Sequence, residues 1–339
     1  MNLYHSAIII LVLLFCFNSA SSGQEKDTAS AKKNIGTNAY VSWVAQYPAI
    51  KTGKPKHYIL NKVVEFLIGK SKERSLLRPM SLIASSPNNL TILDQGSKTI
   101  FQIEGNNEYI PHAIKKKENY FTSLVGVCTL PGGEILFTDS RLNKIYLISA
   151  DKKKLKVFNN DTIKLQQPTG IAYSAINDEV WVVETNGNKI TILDSKGGFK
   201  KSFGERGEDT GKLNFPTSIC IDKNGDAYVV DAMNFRVQIF NKNGSFISTF
   251  GQIGDAAGFF ARPKGIALDS YGNIYVVDAL FHVVQIFDKN GNFLYKFGQQ
   301  GREKESFWLP NGIYIDNRNY IYVADTYNSR IQIFKLIND

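Results

Sequence analysis

The thirteen residues YVVDAMNFRVQIF at 228–240 return as YVVDALFHVVQIF at 275–287 and as YVADTYNSRIQIF at 322–334. Weaker copies run upstream: LTILDQGSKTIFQI from Leu90, ILFTDSRLNKIYLI from Ile135 and VWVVETNGNKITIL from Val180. The acid of each copy falls at Asp94, Asp139, Glu184, Asp231, Asp278 and Asp325, with separations of 45, 45, 47, 47 and 47 residues. Six copies at that period imply six four-stranded units that bury their apolar faces only against one another. The expected fold is therefore all-β: a six-bladed β-propeller of four-stranded blades.

Each repeat follows one order. A Pro with Gly or Ser two residues on opens the first strand (Pro79, Pro168, Pro216, Pro263, Pro310; Leu124 in the second copy). A turn rich in Asn and Gly leads to a second strand that ends at the acid. Four polar or mixed residues then reach the third strand, VQIF or IQIF, and NKNG or DKNG makes the hairpin to the fourth. In YVVD successive residues point to opposite faces, yet both sets are apolar, as expected of a blade packed on both sides.

The last repeat stops at residues 334–339 and lacks a fourth strand. Tyr40 and Val44 mirror the Phe246/Phe250 and Phe293/Phe297 pairs of later fourth strands, so 39–45 is expected to supply it and close the ring. Between this strand and Pro79, residues 58–69 place Ile59, Leu60, Val63, Val64, Leu67 and Ile68 at helical spacing, with Gly69 as the C-cap. That pattern predicts a short amphipathic helix on the propeller.

The eleven apolar residues 7–17 fall short of the ~20 that a membrane-spanning helix needs. Followed by the small residues 18–23, they read as a secretory signal peptide, although Met1 to His5 brings no Lys or Arg. Cys16 raises a lipoprotein reading, against which Phe15 stands where a small residue is wanted. The expected organisation is a signal peptide at 1–23, a flexible linker at 24–38, the closing strand and helix at 39–76, and the propeller at 77–339. The protein is expected to be exported, periplasmic or extracellular.

The net charge of +9 is uneven: residues 24–78 carry 11 Lys and Arg against 4 Asp and Glu, which leaves the propeller at +2. A basic tail suits a solvated linker, or contact with acidic envelope polymers or lipid headgroups. Cys128 and Cys220 sit four residues after their Pro-equivalents and read as small buried residues rather than a disulfide or metal pair.

These motifs resemble the NHL repeat, and the chain is similar to six-bladed NHL propellers from Leu77 to Phe334. The carriers are PTSICIDKNGDAYVVDAMNFRVQIF, PKGIALDSYGNIYVVDALFHVVQIF and PNGIYIDNRNYIYVADTYNSRIQIF; the first three repeats are divergent, with Ser81 where the first wants Gly. The segment FLIGKSKERSLLRPMSLI from Phe66 is also similar to the blade entry of exported bacterial members. Within such repeats the acid, an Asn three residues on and an Arg five residues on recur together. Asp231/Asn234/Arg236 and Asp325/Asn328/Arg330 match fully, whereas Asp278 is followed by Phe281 and Val283. Groups repeated in every good copy read as structural pins of the hairpin rather than as catalytic residues.

The resemblance allows an enzyme, because the amidating-enzyme lyase is an NHL propeller with zinc and calcium in its channel, and calcium-dependent lactonases are six-bladed propellers. Zinc needs histidines, and after the leader only His57, His112 and His282 remain, scattered and without ligand spacing. No G-x-S-x-G or P-loop is present. No catalytic residue, metal or cofactor is therefore assigned, and the chain is read as a non-enzymatic binding scaffold, with a metal-dependent channel enzyme as the alternative. Some intracellular NHL domains bind RNA across one face; a leader and a near-neutral propeller argue against a nucleic-acid partner here. The expected partner is a protein or envelope polymer on one face of a monomer, with membrane contact peripheral at most. The candidate binding residues lie in the turns after the acids: Met233, Phe235, Leu280, Phe281, His282 and Tyr327.

Overall fold

The computed structural model describes residues 39–49, 76–115 and 120–338. The expected leader, linker and helix at 58–69, with Cys16 and His57, lie outside the described residues. Within them, twenty-four strands form six antiparallel sheets of four. The fifth blade shows the plan: Pro263–Leu268, Ile274–Asp278, Val283–Phe287 and Phe293–Phe297 follow in order from the channel outward. The turn joining second to third strands and the connection joining one blade to the next share one face of the disc, here named the acid-turn face. The other two turns of each blade share the opposite face.

The apolar residues separate into six clusters, one between each pair of neighbouring blades. Val276 packs with blade four and its neighbour Val277 with blade six, both fully buried. Val229 and Val230 divide in the same way between blades three and five. A strand that is apolar on both faces thus becomes stable only inside the ring, where each fully buried Val or Ile contributes about 1.5–3 kcal/mol.

Closure is as the sequence predicts, with the strand two residues longer. Ala39–Tyr47 pairs antiparallel with Arg330–Asn338, from Ala39 opposite Asn338 to Tyr47 opposite Ile331. The Trp43 indole donates to Gln332 Oε1 at 3.1 Å, and Arg330 Nη1 donates to Gln46 Oε1 at 3.1 Å. An unforeseen single helical turn, His112–Lys115, links the first two blades and buries Ala113 and Ile114.

The position two residues after the Pro explains itself in space. A Cβ on Gly126 would stand 2.1 Å from the Thr169 carbonyl oxygen, and one on Gly312 would stand 2.4 Å from that of Met80. At these glycines the innermost strands approach backbone to backbone and leave no room for a Cβ, whereas blades one and four carry Ser81 and Ser218 at the same repeat position. Hydroxyls then tie neighbouring blades. Ser81 donates to the Val125 carbonyl, Thr138 to Thr169 at 2.8 Å and Thr185 to Pro216 at 2.7 Å. Thr217 donates to Lys264 at 3.2 Å and Thr326 to Pro79 at 2.8 Å. The cysteines are less fully buried than expected: Cys128 and Cys220 lie partly buried on the channel wall, because the first strands turn one edge to the central cavity.

Candidate functional site

All six repeat acids are at most 1% exposed. Each accepts a backbone N–H from just before the Pro, or its equivalent, that opens the first strand of its own blade. Leu77 and Arg78 donate to Asp94 at 2.8 and 3.0 Å, Gln166 to Glu184 at 2.6 Å, and Trp308 to Asp325 at 2.8 Å. A carboxylate held by several N–H donors is stabilised without a counter-ion. The acids are therefore anchors of the chain entering each blade.

In blades four and six the full Asp-Asn-Arg set does more than pin a hairpin. Arg236 Nε donates to Asp231 at 2.8 Å while its Nη2 reaches the carbonyls of Asp209 and Lys212, at 2.9 and 3.1 Å. Arg330 repeats this with Asp325 at 2.7 Å and with the Glu303 and Ser306 carbonyls at 2.8 Å each. The motif clamps the connection that enters its own blade. Sequence reasoning missed a fourth member, the Gln of VQIF. Gln238 donates to Lys212 O at 2.6 Å and accepts from Gly211 N at 2.9 Å, and Gln285 does the same with Phe259 and Gly258 at 2.7 and 3.0 Å. Its recurrence at the same offset was the available signal.

The turn brings the predicted binding residues onto one face but gives them different surroundings. Met233, Leu280 and Tyr327 occupy the same repeat position, two after the acid, on three successive blades, and are 54%, 55% and 54% exposed. Phe281 is half-buried. Phe235 is half-buried too, at a left-handed φ of 54°, and packs on the core between blades four and five. His282 holds the same left-handed position at φ 58°, and its Nδ1 accepts the Leu309 N–H at 3.0 Å. Asn143 and Asn188 stand at the equivalent place and accept from Gln167 and Phe215 at 2.8 and 2.9 Å. Burial pushes the His282 imidazole below its ordinary value of 6.5, against the pull of Asp325 and Asp278. Met233, Leu280 and Tyr327 are thus presented to solvent, while Phe235 and His282 serve the blades. His112 is exposed on its helical turn, away from the channel lining.

The ring encloses a central cavity of about 610 Å³, walled by the first strands of all six blades. One residue per blade, directly after the Pro or its equivalent, lines the same level: Met80, Val125, Thr169, Thr217, Lys264 and Asn311. Among the described residues Lys264 is the one charged side chain of this wall. Burial, and then the charge of Arg262, holds its ammonium below the ordinary lysine value. Burial likewise pushes the Cys128 thiol up to about 12, which keeps it protonated and unreactive. Among the described residues no three His, Cys, Asp or Glu side chains gather as metal ligands.

Comparison with known proteins places these features. The NHL repeat model matches residues 213–240 and 307–334, the fourth and sixth blades with their clamped connections. Over 58 residues the chain is 38% identical to Protein brain tumor of Drosophila melanogaster, which covers 17% of this chain and 6% of that relative. Among solved structures, an auxiliary nutrient binding protein of Bacteroides thetaiotaomicron superposes with a TM-score of 0.61 at 14% identity, over 78% of this chain and 70% of its own. A catalytically inactive virginiamycin B lyase of Staphylococcus aureus with quinupristin superposes with a TM-score of 0.55 at 19% identity, over 78% and 83%. These likenesses are of fold, and the ring of six blades is that of the six four-stranded sheets. The chain is a six-bladed β-propeller that carries NHL repeats in its fourth and sixth blades.

Proposed function

We propose that the chain is a binding scaffold exported from the cytoplasm, and that it engages a protein partner through the acid-turn face of blades four to six. The observation that carries this reading is the row of Met233, Leu280 and Tyr327. Three large side chains at one repeat position on adjacent blades are more than half exposed. The corresponding residues of blades one to three are Gly96, Arg141 and Asn186. A row of apolar and aromatic groups backed by a rigid ring is the chemistry of a protein contact.

The channel favours binding over a metal-dependent reaction, the alternative raised by lyase-type and lactonase-type propellers. Its lining brings together hydroxyls, amides and one lysine, with neither a carboxylate nor an imidazole among the described wall residues. Export rests on the leader-like apolar run at 7–17.

The test is site-specific photocrosslinking from position 280 in the full-length protein expressed in its own cells, with position 289 on the opposite face as control. A discrete protein adduct from 280, absent from 289 and lost in a Met233→Ser/Tyr327→Ser background, supports the reading. Equal adducts from both positions, or none from 280, would overturn it. Mass spectrometry of the mature N-terminus tests export separately: cleavage within 20–23 supports it, and an intact Met1 contradicts it.

A further inference from the structure

The acid-turn face has a second half with different chemistry. Beside blades one and two, a hollow of about 590 Å³ is lined by Arg78, Lys98 and Arg141 and, among the described residues, by no acidic side chain. Gln95 and Ser123 line both this hollow and the central cavity, so the hollow is a side arm of the channel mouth. Across the mouth, Lys264 stands in the channel wall and Arg262 on the rim two residues before it. Arg78, Lys98, Arg141 and Arg262 are exposed, and none of the five cations is within ion-pair distance of a carboxylate among the described residues. Arg78 does lie over the Tyr327 ring, at 5.5 Å.

The carboxylates closest in sequence and space are those of the repeat. Asp139 accepts from the backbone of Thr122, Ser123, Arg141 and Leu142 at 2.7 to 3.2 Å. Asp278 accepts from Ala261, Arg262, Leu280 and Phe281 at 2.8 to 3.3 Å, and Asp94 from Leu77, Arg78 and Ser97. Their lone pairs are engaged and their groups fully buried, so they leave the five cations free to meet an incoming charge. The cavity wall that carries Lys264 also offers free neutral groups. The side chains of Gln167, Ser218 and Asn311 line the half-exposed wall and make no hydrogen bond to a described residue, whereas most hydroxyls of the ring are spent on neighbouring blades.

A cationic arm at the mouth of a low-dielectric cleft concentrates anions there. One ammonium among amides and hydroxyls then suits a ligand with one acidic group and several hydroxyls. We propose that the channel mouth binds a small hydroxylated anion, a sugar acid or a sugar phosphate, drawn in by Arg78, Lys98 and Arg141 and held at Lys264 with Asn311, Ser218 and Gln167. The cavity has room for a ligand of that size. This site adjoins the apolar row where Arg78 lies over Tyr327, and its anion-holding group, Lys264, is in the channel wall on another blade. An anion there also restores the Lys264 ammonium that burial and Arg262 disfavour.

The experiment is isothermal titration of the full chain at low ionic strength with glucuronate, glucose 6-phosphate and neutral glucose. At least one of the two anions is expected to bind about tenfold or more tightly than glucose, with affinity falling as salt is added. Preference for glucuronate identifies a carboxylate as the natural group, and preference for glucose 6-phosphate a phosphate ester. Lys264→Met, which copies Met80 of the first blade, should lose about tenfold or more in affinity, and Lys264→Arg should retain most of it. Arg78→Ser with Arg141→Ser should weaken binding less and flatten its salt dependence. The proposal fails if neither anion is preferred over glucose. It fails equally if folded Lys264→Met binds as the wild type does, or if a single-stranded oligonucleotide outcompetes both sugars at this mouth. Should Lys264→Met not melt cooperatively, the salt dependence of the wild type decides.

Discussion

The imidazole of His282 accepts the backbone N–H of Leu309 at 3.0 Å, which fastens the fifth blade to the connection entering the sixth. The acceptor must be the neutral ring, with its proton on the other nitrogen. Burial lowers the folded-state value below the ordinary 6.5. A depressed histidine value gives stability that is complete above 6.5 and is lost as pH falls through 6.5 towards the folded value. His282→Asn, which copies Asn143 and Asn188, should therefore melt within about 0.5 kcal/mol of the wild type at pH 8 and lose less stability than the wild type at pH 5. Melting curves across that range decide; identical pH slopes for the two proteins would sink the assignment.

Arg330 is 9% exposed and Asp325 fully buried, and the guanidinium also holds two backbone carbonyls and Gln46. Removing one partner of such a pair strands a buried charge. Arg330→Ala is expected to cost about 3–5 kcal/mol in urea unfolding. Arg330→Lys should recover little of it, because an ammonium cannot span the same forked set. A loss below about 1 kcal/mol for the alanine variant would show that the clamp is dispensable.

Close approach of the first strands predicts opposite outcomes at equivalent positions. Gly126→Ala forces a Cβ against the Thr169 carbonyl and should destabilise by about 1–3 kcal/mol, whereas Ser218→Ala should stay within about 0.5 kcal/mol. Chemical denaturation of the pair checks this, and equal effects would contradict the packing explanation.

The closing strand covers one edge of Arg330–Asn338. Deleting residues 1–47 should leave that edge bare and make the ring self-associate. Sedimentation velocity of the truncated chain should show concentration-dependent oligomers, while the full chain carries the edge already paired. A monomeric truncated chain with an unchanged melt would argue that the strand is not a closing element.

Much of this architecture was legible in the amino-acid order. The 45- to 47-residue period named the blade, the doubly apolar YVVD named its buried place, and the Tyr40/Val44 pair named the closing strand. Those are local patterns, and backbone geometry alone converts them into strands and faces. The candidate site was legible in part. Met233, Leu280 and Tyr327 lie in the exposed turn foreseen for them. Phe235 and His282 look the same in sequence, yet their left-handed turn position aims one into the core and the other at the next blade.

What remained hidden was which residues far apart in the chain meet. The acids, arginines and glutamines were visible as recurring letters, but their partners are carbonyls and amides 16 to 27 residues away, in connections of variable sequence. Lys264 is one lysine among many until six first strands are drawn around a common axis. The repeat by itself therefore determined the ring, since periodic apolar strands have no other way to bury both faces. Only the tertiary structure decided which charges meet, because the field at the channel mouth is a sum over blades that no single repeat contains.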